Sequence, residues 1–169
     1  MIKVLFVCHG NICRSPMAEL LFQDMVKKKK QEDKFYIASA ATSDEEIGNP
    51  VHRGTKRILD SLGIDSHAKR AVRLVKSDYE KYDFILAMDH ENIRNIRSIL
   101  GEDYRHKVHL LLEYAGLDRG IKDPWYTGNF EETYQDIMEG LSGFYQFLKE
   151  NRTVSYTHLR AHETCADLV

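Results

Sequence analysis

The sequence predicts an α/β domain: a three-layer, doubly wound, four-stranded parallel sheet with helices on both faces. Three observations carry this. Runs of β-favouring apolar residues alternate along the chain with stretches whose apolar residues recur at helical spacing. The apolar runs are continuous rather than alternating with polar residues, as expected of strands covered on both sides. Most connections are short, which favours parallel neighbours joined through helices.

The elements follow in order. Val4, Leu5, Phe6 and Val7 make the first strand. Pro16 suits the first turn of a helix, where an amide has no partner, and Met17, Leu20, Leu21, Met25 and Val26 form that helix's apolar face up to the basic run 27–30. Residues 35–40 are a second strand. The connection 41–51 is long and punctuated by Gly48, Asn49 and Pro50, so Glu45, Glu46 and Ile47 are either a pocket rim or plain surface loop. A second helix spans 52–62, with Ile58, Leu59 and Leu62 inward and Gly63 as its stop. Ser77 and Glu80 have the spacing of a capping box that opens a short helix. Residues 82–88 are a third strand. Asp89 then caps a helix carrying Ile93, Ile96, Ile99 and Leu100 up to Gly101, and residues 108–112 give the fourth strand. A second long loop, 113–128, holds Asp123, Pro124, Trp125 and Tyr126. Asn129 with Glu132 opens a last helix whose stripe runs Phe130, Tyr134, Ile137, Met138, Leu141, Phe144, Leu148. The pattern stops after Asn151. We therefore expect one domain over 1–151, with 152–169 a disordered tail or a stretch foreign to the domain, and Cys165 without a role.

Composition narrows the class. The chain has 169 residues, 30% of them charged, and a formal net charge of −2, so no global basic field points to nucleic acid or an acidic membrane surface. No apolar stretch approaches the ~20 residues that span a bilayer, and the first residues lack the apolar core of a secretory signal. Three cysteines do not make a disulfide framework, which favours a reducing cytoplasm. No internal repeat is present.

The chemistry concentrates at the first strand's end. Val7 leads into Cys8, His9, Gly10, Asn11, Ile12, Cys13, Arg14, Ser15 and Pro16, a strand, a loop and a helix start. Such a loop can turn its backbone N–H groups onto one spot, where a tetrahedral oxyanion fits. Gly10 permits the backbone angles and close approach that such a turn needs, and Arg14 can hold two oxyanion oxygens with its planar fork. Cys8 would lie at the floor, where the positive potential favours the nucleophilic thiolate. The plainer alternative makes Cys8 and Cys13 buried turn residues and Arg14 a surface charge. Strand-end logic brings Ser39, Ala40 and Asp89 to the same crevice.

With these residues the chain resembles the low-molecular-weight protein tyrosine phosphatases. The likeness covers about residues 1–150 and rests on the stretch from Val4 through Arg14 to Glu19, on Asp123, Pro124, Trp125 and Tyr126, and on Ser39-Ala40, Gly63-Ile64, Ser66-His67 and Met88-Asp89. The resemblance implies that Cys8 attacks phosphorus, Arg14 binds the phosphoryl oxygens, Ser15 hydrogen-bonds the thiolate and Asp123 is the general acid. Asn11, Ser39 and His67 match polar residues that hold the loop in shape, and Asp89 has a supporting role. No cofactor and no metal are implied. The partners implied are phosphotyrosine-containing proteins or small aryl phosphates, for a monomer or weak dimer.

Some positions keep two readings. Asp123 is also an ordinary turn aspartate before proline, and Trp125 and Tyr126 either pack in the core or flank a planar substrate ring. Cys13 is a packed thiol or a redox partner that protects Cys8 through a reversible disulfide. His9 replaces the more usual apolar residue of the cradle, and Glu45 stands near where the family often has an aromatic. Arsenate reduction on this fold needs further downstream cysteines, and none lies between Cys13 and Cys165. Family members that act on phosphoarginine carry threonine at the position of Ile12, so Ile12 favours an aryl phosphate. A non-catalytic redox or phosphate-binding module would lack the nucleophile, arginine or acid.

Overall fold

The apolar run at the N-terminus becomes β1 (Ile2–Cys8), the strand on which both layers of helices are built. Ile2, Val4, Phe6 and Cys8 belong to the core of one sheet face, Leu5 and Val7 to that of the other. Both sets are buried, which is why the run shows no polar alternation. The computed structural model describes residues 1–158, with side chains through Asn151.

β2 (Phe35–Ala41) and β3 (Phe84–Ala87) pair with β1 on either side, and β4 (Val108–Leu110) pairs with β3, all parallel. The strand order is β2-β1-β3-β4. The chain thus leaves β1 to one side and returns to the other with β3, a switch point that opens a crevice beyond the carboxyl ends of these two strands. The helices are α1 (Arg14–Lys28), α2 (Arg53–Ser61), α3 (Asp78–Lys81), α4 (His90–Leu100), α5 (Pro124–Thr127) and α6 (Phe130–His158). The larger core lies between the sheet and α1 and α6. Its centre is Phe22, whose ring meets Phe6, Phe35 and Phe144 with centroids 6.0, 5.4 and 5.6 Å away. On the opposite face Ile96 and Leu100 of α4 pack with Tyr79, Tyr82 and Leu74. No helix among the described residues is long and apolar enough to cross a membrane.

Several boundaries depart from expectation. α1 begins at Arg14, two residues before Pro16, so the amides of its first turn face the loop. The short helix after Ser77 forms without a capping box, since the Ser77 side chain caps nothing. Instead the Val75 N–H donates back to Asp78 Oδ2 at 2.9 Å. Leu111 and Leu112 leave the fourth strand and start a 3₁₀ turn, Leu111–Ala115, although both are fully buried, because burial alone makes a turn and a strand read alike. α6 runs to His158, past Asn151 where the apolar pattern stops. The remainder of the expected tail, 159–169, lies outside the described residues. The caps at Asp89 and Asn129 form as read: Asn92 N–H donates to Asp89 Oδ1 at 2.8 Å and Glu132 N–H to Asn129 Oδ1 at 3.0 Å.

Gly143 lets α6 lie against the 3₁₀ turn, for a Cβ there would sit 2.1 Å from the Tyr114 carbonyl oxygen. Backbone is the obstacle, so no rotamer relieves it. Gly143→Ala should lower stability by about 3 kcal/mol, which thermal unfolding would record as a midpoint lower by roughly 6 to 12 °C. An unchanged midpoint would contradict this packing.

Candidate active site

The loop between β1 and α1 closes on the sulfur of Cys8. The backbone N–H groups of Asn11 and Ser15 point at Sγ from 3.3 and 3.4 Å, and the Ser15 hydroxyl lies 2.9 Å away. Three polar groups thus converge on one sulfur. The turn that aims them is made at Asn11, which has φ 60 in the left-handed region, and not at Gly10 as the sequence reading expected. Asparagine tolerates that conformation better than most residues because its short polar side chain bonds locally. Here the side chain is buried and fully used. Asn11 Oδ1 accepts from the Val72 N–H at 3.0 Å, while Nδ2 donates to Ser15 Oγ at 2.7 Å and to Ser39 Oγ at 2.9 Å.

Ser39 passes the network on to two residues that the sequence reading missed as site residues. Its hydroxyl donates to Glu19 Oε1, and the Lys69 ammonium reaches both the Ser39 carbonyl, at 3.2 Å, and Glu19, at 3.3 Å. Lys69 thus occupies the place that the resemblance assigned to His67. His67 is exposed, its backbone is tied to Asp65 and Arg70, and its side chain takes no part in this network. The signal for Glu19 was its place at the end of the motif that begins at Val4.

Arg14 is 2% exposed. Its Nη1 donates to Asp89 Oδ2 at 2.7 Å and to the Ile121 carbonyl at 2.8 Å, and Nη2 approaches Asp123 Oδ2 at 3.4 Å. Burial opposes its charge, but the Cys8 sulfur and the Asp89 and Asp123 carboxylates outweigh that and hold the guanidinium above its ordinary range. Asp89 does double duty as the cap of α4 and the anchor of Arg14. Gly120 makes this contact reachable: a Cβ there would come 2.9 Å from the Asp89 Cα.

Asp123 is the turn aspartate before proline and also reaches into the pocket. Its Oδ1 caps α5 by accepting from the Trp125 N–H at 3.0 Å, with Pro124 as the first helical residue, and its other oxygen faces Arg14. It lines, with Cys8, Arg14 and Cys13, a pocket of about 90 Å³. Ile12, Trp125 and Tyr126 give the pocket apolar lining, and His9, Gly10, Glu45 and Glu46 also line it. Trp125 and Tyr126 are 57% and 83% exposed, so neither is a core residue. Ile47, also 43% exposed, does not line the pocket. His9 Nε2 pairs with Glu45 Oε2 at 3.0 Å. Cys13 is buried and free, as is Cys8. Burial first, then the neighbouring Cys8, raises its thiol far above the usual range. Among the described residues no group of three His, Cys, Asp or Glu is placed to hold a metal ion.

The family model of the low molecular weight phosphotyrosine protein phosphatases matches residues 3–154. The chain belongs to the low molecular weight protein tyrosine phosphatases. It is 45% identical over 142 residues to the Bacillus subtilis low molecular weight protein-tyrosine-phosphatase YfkJ, covering 83% of this chain and 91% of that one. A Schizosaccharomyces pombe low molecular weight phosphotyrosine protein phosphatase is 40% identical over 149 residues, 85% of this chain and 94% of its own. The crystal structure of YfkJ superposes with a TM-score of 0.85 at 43% identity, over 89% of this chain and 96% of that one. A Drosophila arginine phosphatase structure superposes at 0.79 with 30% identity, over 88% and 98%. Membership makes this an enzyme of the tyrosine phosphatase type.

A second histidine of this phosphatase packs against the segment that follows Asp123. His52 Nδ1 accepts from the Gly54 N–H at 3.0 Å to cap α2, while its ring stacks on Phe130 at 5.0 Å and meets Trp125 edge-on at 5.7 Å. Partial burial, then Arg53, lower its pKa. Only neutral imidazole can accept at Nδ1, so the stability it contributes is present above the unfolded value of about 6.5 and is lost as pH falls through the lower folded one. His52→Asn keeps an acceptor at the cap. Thermal unfolding between neutral and mildly acid pH should therefore show a smaller loss for His52→Asn than for wild type, and equal slopes would contradict the assignment.

Proposed function

We propose that this enzyme hydrolyses phosphotyrosine in proteins, and small aryl phosphates, through a phosphocysteine on Cys8 with Asp123 as the general acid. The observation that carries this reading is the meeting of three groups in one small pocket: a sulfur ringed by donors, a buried guanidinium, and a carboxylate on the facing loop.

The proposed steps follow from the chemistry of each group. A phosphoryl group seated over Cys8 competes with Asp123 for Nη2 of Arg14, which frees the carboxyl to face the leaving oxygen. The thiolate attacks phosphorus, the P–O bond to the phenol breaks, and Asp123, which enters this step as the neutral acid, gives that oxygen its proton. The Asp123 carboxylate then takes a proton from water as that water attacks phosphorus, the P–S bond breaks, and inorganic phosphate leaves with Cys8 restored as thiolate. Charge on the equatorial oxygens meets Arg14 and loop amides that are already in place, so little reorganisation is needed.

Two features support an aryl substrate. Ile12, Trp125 and Tyr126 give the pocket apolar lining suited to a ring, and Ile12 stands where members acting on phosphoarginine have threonine. Cys13 lines the same pocket as Cys8, which supports a protective disulfide between them as its role. The free thiols fit a reducing compartment.

Hydrolysis of a chromogenic aryl phosphate tests the reading. Cys8→Ser should abolish turnover, and Asp123→Asn should lower kcat by about 10² to 10⁴ for poor leaving groups, less for good ones. Full turnover in Cys8→Ser would falsify the proposal. Ile12→Thr should move preference from aryl phosphate toward phosphoarginine, and an unchanged ratio would remove Ile12 as selector.

A further inference from the structure

On distance alone, either partner of the 2.9 Å contact between Ser15 Oγ and Cys8 Sγ could hold the bridging proton. The surroundings decide. Asn11 Oδ1 is occupied by the Val72 N–H, so the amide cannot be turned over, and both hydrogens of Nδ2 are committed as donors. One goes to Ser15 Oγ and the other to Ser39 Oγ. Each serine oxygen therefore accepts from Asn11, and each hydroxyl proton must point elsewhere. At Ser39 it points to Glu19, and at Ser15 it points to the Cys8 sulfur.

The direction of the whole chain depends on its far end being an anion. Glu19 is 9% exposed, and its second oxygen accepts from Gln23 Nε2 at 3.2 Å. A charge this deep needs a partner, and Lys69, itself largely buried, is the cation that reaches it. We propose that Glu19 and Lys69 are positioning residues that fix the polarity of the chain Glu19, Ser39, Asn11, Ser15, so that the Ser15 proton is always presented to Cys8. The inference rests on Cys8 being the nucleophile. Glu19 and Lys69 act through Ser39 and Asn11 and touch no reacting atom. An amide at position 19 could donate to Ser39, turn its hydroxyl toward Asn11 and set the two donors against each other. Loss of the Lys69 charge would leave the buried carboxylate without its cation and the far end of the chain no longer held as an acceptor.

The other charges bear on each end of the chain. Cys8 shares its surroundings with Arg14, Cys13, Asp123 and Glu46, and with Asp89 behind Arg14. Glu19 is faced by Lys69 and by the Tyr82 phenol.

The test reads the nucleophile without the phosphatase reaction: alkylation of Cys8 by iodoacetamide against pH, located by fragment mass spectrometry, in Glu19→Gln, Lys69→Met and Lys69→Arg. Glu19→Gln and Lys69→Met should alkylate Cys8 roughly tenfold more slowly at mildly acid pH, with the midpoint of the profile moved upward. In aryl phosphate hydrolysis both should lower kcat more than they raise KM. Lys69→Arg should restore the wild-type profile. Ser39→Ala breaks the chain at its middle and should shift the profile likewise, which covers the case where Glu19→Gln fails to fold. Folded variants with a wild-type alkylation profile would overturn the proposal. A shifted profile in a protein that hydrolyses no aryl phosphate would support the positioning role and overturn the phosphatase reading instead.

Discussion

Two backbone amides and a hydroxyl have to converge on one sulfur, and a chain can do this only by reversing within a few residues. The reversal is made at Asn11, in a conformation that most side chains resist. Everything nearby is arranged to hold it there. The Asn11 amide reaches across to Ser39 on β2 and Val72 on the following loop, so the cradle is tied to the strand beside β1 and to the segment beyond α2. The site is therefore a property of the sheet rather than of the loop. Parallel pairing of β1 with β2 places Cys8 level with Ala41 and sets Ser39 within reach.

The second constraint is a buried positive charge. Arg14 sits at the start of α1 with almost no contact with water, and a guanidinium there has to be neutralised and hydrogen-bonded. Asp89 at the end of β3 and the Ile121 carbonyl do so from the far half of the chain. The same contacts settle where the loop 116–123 lies, because Gly120 rests on Asp89 and the Ile121 N–H bonds the Met88 carbonyl at 2.8 Å. Asp123 is delivered to the pocket as a consequence. Arg14 and Asp123 are thus linked: the guanidinium at the floor of the pocket also anchors, through the Ile121 carbonyl and Asp123, the loop that lies over it.

Much of this was legible in the sequence. The fold class followed from continuous apolar runs and short connections, and strand-end logic and motif singled out Cys8, Arg14, Asp89 and Asp123, which the structure brings together. Other parts were not. Nothing local distinguishes Gly10 from Asn11 as the left-handed residue, since the requirement comes from Val72, Ser39 and Ser15 converging on one amide. A motif match carried the supporting role to His67, whereas the network is completed by Lys69 two positions on, and only three-dimensional proximity to Glu19 reveals it. Leu111 and Leu112 read as strand because burial, not secondary structure, dictates leucine there. His52 carried no signal at all, for its partners Trp125 and Phe130 lie far along the chain.

The central claim is that the donors around Cys8 serve a nucleophile that carries the phosphoryl group. Rapid quenching of the enzyme with a good aryl phosphate, followed by intact-protein mass and fragment analysis, tests it most directly. The account predicts a burst of phenol stoichiometric with enzyme and one phosphoryl group on Cys8. Steady hydrolysis with no burst and no phosphoryl group on Cys8, or with the group on another residue, would contradict it.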